Sequence, residues 1–127
     1  MKKTVIPKVC SGDMVVAVSM SEPEAGSALT DLKTNGRIEG DKIILNGTKR
    51  WCSGAGHSEA YVVYCRLDES PGAKGIGAVL VHKGAPGFSF GKRDHHMGFR
   101  GIYSADMYFD NVKVPTSDIL VSYEHSN

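Results

Sequence analysis

Apolar residues in this chain come in short runs parted by glycine-bearing turns, and no stretch repeats them at helical spacing. The pattern points to an all-β fold, read as an antiparallel β-barrel (or sandwich) of about seven to eight short strands. Val15 to Met20 is the first run. Leu32, Thr34, Gly36 and Ile38 then alternate with Lys33, Asn35 and Arg37, as a half-buried strand would. Ile43-Ile44-Leu45 and Thr48 to Ser53 flank Asn46-Gly47, which reads as a type I′ hairpin turn. Ala60 to Arg66, Ile76 to His82, Phe88 to Phe90, Tyr103 to Phe109 and Val112 to Val114 complete the strands. Asp31 and its neighbours allow at most one helical turn, and Asp68 to Gly75 reads as a loop.

The length, 127 residues, predicts one domain. Residues 13–121 read as its body. Residues 1–12 suit the tail of a preceding helical domain or linker, and 122–127 the start of a following segment or a tail. Fifteen basic and 14 acidic residues leave a net charge of +1, which offers nucleic acid or an anionic membrane no electrostatic footprint. No apolar run reaches membrane-spanning length, and the basic N-terminus lacks a signal peptide's apolar stretch. The three cysteines include no Cys-x-x-Cys, so reduced thiols in a reducing compartment are expected, with a Cys52–Cys65 disulfide the lesser alternative. Adjacent His95 and His96 would point to opposite faces of an extended chain, so no metal site is expected. No nucleophile elbow or phosphate loop occurs, and Gly72 to Gly77 is too short for a dinucleotide fingerprint.

Two polar strand ends stand out. Ser19-Met20-Ser21-Glu22-Pro23-Glu24-Ala25-Gly26-Ser27 is a long loop, rich in hydrogen-bonding groups, where a short turn would serve. Trp51-Cys52-Ser53-Gly54 closes another strand with an indole, a hydroxyl and a glycine-rich exit. From spacing alone, Trp51 reads as a core aromatic and Ser21, Ser27 and Ser53 as turn caps.

Four motifs change that weight. Ser21-Glu22-Pro23-Glu24-Ala25-Gly26-Ser27 resembles the Thr-Glu-Pro-x-Ala-Gly-Ser-Asp signature of acyl-CoA dehydrogenases. Leu45-Asn46-Gly47-Thr48-Lys49-Arg50-Trp51-Cys52-Ser53 is similar to their Leu-Asn-Gly-x-Lys-x-Trp-Ile-Thr hairpin. Met97-Gly98-Phe99-Arg100-Gly101 and Phe109-Asp110-Asn111-Val112-Lys113-Val114-Pro115 resemble two later motifs of the family, in the same order. The resemblance covers nearly the whole chain and corresponds to the middle β-barrel domain alone.

The resemblance implies FAD as cofactor and acyl-CoA as substrate. It implies flavin contacts from Val18, Met20, Ser21, Trp51 and Ser53. Ser27 would reach the FAD pyrophosphate or the pantetheine arm of the CoA ester. Arg100 is either a structural residue of its turn or a phosphate contact, and Lys74 either a solvated lysine or a phosphate contact. The catalytic base of the family is a glutamate on a C-terminal helical domain, so no catalytic residue is assigned in this chain. Helical domains of the parent chain, a homo-oligomeric parent, and a cytoplasmic or (in a eukaryote) mitochondrial-matrix location follow from the same resemblance. Serines stand where the family has threonine, at Ser21 and Ser53, and Ala28 replaces the signature aspartate. The rival readings are an acyl-CoA oxidase or flavin monooxygenase of the same fold, and a non-enzymatic β scaffold, which requires Trp51 in the core.

Overall fold

Tyr61, Val63 and Cys65 alternate along the Ala60–Arg66 run and are fully buried, the period-2 pattern of a strand with one face on a core. In the computed structural model, which describes residues 3–122, this strand is β4. The others are β1 (Val16–Ser19), β2 (Asn35–Glu39), β3 (Lys42–Ser53), β5 (Ile76–His82), β6 (Phe88–Phe90), β7 (Ser104–Pro115) and β8 (Ile119–Val121). They form one sheet in the order β6-β7-β3-β2-β4-β5-β8, with β1 paired to β4. A single turn of 3-10 helix spans Leu29–Asp31 and another covers Gly72–Gly75. The short helix α1 (Ile6–Ser11) buries none of its residues. It ends at Gly12, whose φ of 83° lets the Gly12 and Asp13 N–H groups reach back to the Val9 and Lys8 carbonyls.

The all-β expectation holds, but the closed antiparallel barrel does not. The sheet is open and mixed, with β6 and β8 at its ends. β5 lies antiparallel along the whole of β4, so β1 and β2 share the other edge, both parallel to it. Strand direction at such an edge is fixed by residues distant in sequence, which local patterning does not encode. The sheet curls enough for Tyr61 of β4 to meet Phe88 of β6 edge-on, with ring centroids 5.4 Å apart. Phe88 in turn stacks on Phe109 at 4.8 Å. Each such aromatic pair adds about 0.5–1.5 kcal/mol beyond its buried area.

Nor is Asn46-Gly47 a hairpin turn. β3 runs unbroken through it for 12 residues. The turn lies earlier, at Gly40-Asp41, between the paired Glu39 and Lys42. Gly47 is demanded instead by a neighbour: its φ is 148°, and a Cβ there would stand 2.5 Å from Thr34 Oγ1. Opposite it the β3–β7 register shifts. The extra residue on β7 is accommodated by Asn111, whose φ is 48°. Asn46 brackets that bulge, accepting the Asn111 N–H at 2.9 Å and donating to its Oδ1 at 3.2 Å. The long β3–β7 ladder is therefore the spine of the sheet.

Cys52 on β3 and Cys65 on β4 lie on strands that are not paired with each other, and all three cysteines are free. Burial pushes the Cys52 thiol up, and the Cys65 thiol to about 12. Among the described residues no helix is long and apolar enough to cross a membrane.

Candidate functional site

Near its end β3 carries one residue too many. Lys49 pairs with Met107 and Cys52 with Ala105, so three steps on β3 match two on β7. Lys49 and Cys52 are buried, whereas Arg50 and Trp51 between them are both exposed. Trp51, the only tryptophan, is 65% exposed and sits at φ 54°. A bulky side chain in that region costs on the order of 1–3 kcal/mol. The core reading of Trp51 is thus overturned, and the scaffold alternative loses the burial it required. A strained, solvent-facing indole at a bulge marks a place where a side chain is aimed for use. The Arg50 guanidinium lies 5.7 Å from the indole centroid and helps hold it.

The exit of β1 is laid against this bulge. The Arg50 N–H donates to the Ser21 carbonyl at 2.9 Å, and the Cys52 thiol to the Val18 carbonyl at 3.5 Å. Val18 is exposed; Met20 and Ser21 are half-buried; Ser53, two residues beyond Trp51, is exposed. The structure therefore brings Val18, Met20, Ser21, Trp51 and Ser53 into one neighbourhood. Ser27 is exposed beyond the Glu22–Ala25 bridge, and no hydrogen bond among the described residues ties it to the bulge. The Ser21 N–H and the Ser21 and Ser53 hydroxyls have no hydrogen-bond partner among the described residues.

Beneath the loop lies a residue that sequence reasoning missed. The Lys49 side chain is wholly buried, and its ammonium donates to the Met20 carbonyl at 2.9 Å and to Glu22 Oε1 at 2.8 Å. Glu22 also accepts the backbone N–H groups of Lys33 at 2.6 Å and Thr34 at 2.9 Å. Burial alone would raise the Glu22 carboxyl, but those N–H groups and the Lys49 ammonium outweigh it and hold it below its ordinary value. Burial draws the Lys49 ammonium down, and Glu22 offsets part of that. Glu22 is thus committed to scaffolding. The signal for Lys49 was parity: it shares a strand face with Ile43 and Leu45, both fully buried.

Two clefts border the loop. One of about 460 Å³ opens on Glu22, Lys33, Thr34 and Gly47. The other, about 290 Å³ and mostly apolar, lies against Met20, Leu32, Tyr64 and Ile76. Trp51 lines neither. The exposed indole and its unpartnered donors, rather than cavity size, mark the site. Arg100 is exposed and lines a polar cleft with Arg93, Asp94, His95 and His96, and its carbonyl accepts from the Arg93 guanidinium. Lys74 is exposed in its 3-10 turn.

The sequence profile described as "Acyl-CoA dehydrogenase, middle domain" matches residues 17–112, most of the chain. The chain belongs to the acyl-CoA dehydrogenase middle-domain family. This middle domain is 37% identical over 121 residues to the mitochondrial isovaleryl-CoA dehydrogenase of Pongo abelii, covering 94% of the chain and 29% of that protein. It superposes on butyryl-CoA dehydrogenase from Megasphaera elsdenii with a TM-score of 0.90 at 29% identity, covering 93% of this chain and 31% of that one. A FAD-dependent dehydrogenase gives a TM-score of 0.90 at 31% identity, covering 94% and 32%. The middle domain thus spans less than a third of the length of these relatives.

Proposed function

We propose that this middle domain serves a flavin-dependent acyl-CoA dehydrogenase that removes hydrogen from the α and β carbons of an acyl-CoA thioester. The observation that carries the reading is the 2.9 Å bond from the Arg50 N–H to the Ser21 carbonyl. It sets a loop with unused donors beside a strained indole that faces outward. A flat ring with polar edges needs that pairing of an apolar wall and rim donors, so the residues present fit a flavin. When bound, FAD supplies the hydride acceptor.

The residues divide the work. Trp51 packs against the ring system, with Val18 extending the apolar surface. The Ser21 N–H and hydroxyl, with the backbone at Met20, face the pyrimidine edge and offset the negative charge that reduction places there. Ser53 would reach the N5–O4 side of the ring with its hydroxyl. Serine keeps the donor while lacking the methyl that restricts χ1 in threonine. Ser27 meets the FAD pyrophosphate or the pantetheine arm of acyl-CoA. The α-proton is taken by a base outside this domain, since both Glu22 carboxylate oxygens are already engaged. Residues 3–12 lead in from a preceding helical domain or linker, while 1–2 and 123–127 lie outside the described residues. Helical domains of the parent chain supply the rest of the site, and the parent assembles as a homo-oligomer in the cytoplasm, or in the mitochondrial matrix of a eukaryote.

The test is the full-length protein. Bound flavin absorbance that bleaches on addition of an acyl-CoA, with slow reoxidation in air, is expected. A colourless protein that takes up no FAD overturns the reading. Rapid oxygen consumption by the reduced enzyme would reassign it to an oxidase.

A further inference from the structure

Building on the flavin reading above, we propose that Lys49 is a positioning residue: its ammonium fixes the Met20–Ser21 peptide plane so that the Ser21 N–H faces the flavin. Every described peptide bond is trans, so the Met20 C=O and the Ser21 N–H point in opposite directions. Lys49 is wholly buried and binds the Met20 oxygen at 2.9 Å from within. The Ser21 N–H is thereby turned away from the interior, and it has no acceptor among the described residues. The next peptide is pinned as well, by the Arg50 N–H on the Ser21 carbonyl. Behind Lys49 stands Glu22, itself held by the N–H groups of Lys33 and Thr34.

Stability does not account for this arrangement. A buried ion pair often contributes no more than well-packed apolar groups of similar volume. An ammonium behind the peptide does what an apolar side chain cannot: it fixes one orientation of the amide and polarises its N–H toward whatever lies in front. Preorganised donors of that kind count most where charge develops in a site shielded from water.

The experiment compares two variants of the full-length enzyme, Glu22→Gln and Glu22→Gln/Lys49→Met. The single variant keeps the Lys49 contact to the Met20 carbonyl but strands the ammonium without its counter-charge. The double variant removes the contact and leaves no buried charge. Thermal midpoint, FAD affinity of the apoprotein and flavin midpoint potential are measured for each. The double variant is expected to be the more stable of the two, yet to bind FAD about ten-fold more weakly and to have the more negative potential. FAD affinity that follows thermal stability, or stays at the wild-type level in both, overturns the role of Lys49. Wild-type protein without FAD uptake overturns the flavin reading, and this role with it. Crystal structures of the wild-type enzyme with and without FAD decide the matter should either variant fail to fold. Lys49 is expected on the Met20 oxygen in both, with the Ser21 N–H on the pyrimidine edge, and a rotated Met20–Ser21 peptide overturns the proposal.

Discussion

The Lys49 ammonium and the Glu22 carboxylate stand 2.8 Å apart, with 0% and 5% of their side chains open to water. Removal of one partner strands the other, at a cost of about 3–5 kcal/mol. Lys49→Ala and Glu22→Ala are each expected to lose that much in denaturant unfolding of the full-length protein. Simultaneous replacement by apolar residues of similar volume should lose much less than the sum. Additive losses would show that the two groups do not depend on one another.

Acid should act through the same carboxylate. The Glu22 carboxyl is held below its ordinary value of 4.5 in the folded chain. It therefore contributes stability that is fully present above that value and is lost as pH falls through the lower folded pKa. The denaturation midpoint of the wild type should fall on acidification below about pH 4.5. In Glu22→Gln that part of the slope should vanish, and an unchanged slope would assign the acid response to other groups.

Gly47 should tolerate no side chain. Its φ of 148° and the approach of Thr34 within 2.5 Å of a Cβ both oppose alanine. Gly47→Ala is expected to cost about 3 kcal/mol or more. Gly98, with open space around it, provides the contrast: Gly98→Ala should shift stability by no more than about 0.5 kcal/mol. Thermal unfolding of the two variants side by side reads the difference.

Trp51 should show strain held for a purpose. Its φ of 54° suits asparagine better than an indole. Trp51→Asn is expected to match the wild-type apoprotein in stability or exceed it by up to about 1 kcal/mol, seen as an equal or higher thermal midpoint, while FAD affinity falls about ten-fold. A variant with a lower midpoint would mean that the indole contributes to folding after all.

Alkylation should separate the thiols by burial. Cys52 and Cys65 are buried and their thiols are pushed up, Cys65 to about 12. Iodoacetamide at pH 8 should leave both unlabelled in the native protein, as mapped by peptide mass spectrometry, and label both after unfolding.

What the sequence disclosed was what neighbours along the chain decide. Ala60–Arg66 and Ile76–His82 are strands over the predicted spans because their β-branched and aromatic residues leave little alternative. The loop at Ser21 and the strand end at Trp51 stand out as a candidate site by motif, and the structure sets them side by side. The failures all involve partners far away in the chain. Asn46-Gly47 mimics a local turn, but its glycine answers to Thr34 passing across the strand. The parallel pairing of β1 with β4 joins segments that no local pattern connects. The exposure of Trp51 follows from a bulge visible only once β7 is in register. Strand parity turns Lys49 inward, but its counter-charge, Glu22, lies 27 residues away.

The β3–β7 ladder also bears on how the domain is made. Asn46 and Asn111, which clasp its central bulge, are 65 residues apart. A ribosome adding about 5–20 residues per second needs several seconds to deliver the second after the first. Throughout that interval the apolar stretch Ile43-Ile44-Leu45 has emerged without the strand that will cover its edge. Nascent chains whose emerged portion stops before Val112 should therefore be held by chaperones or aggregate, and those with Pro115 clear of the ribosome should be able to complete the β3–β7 ladder.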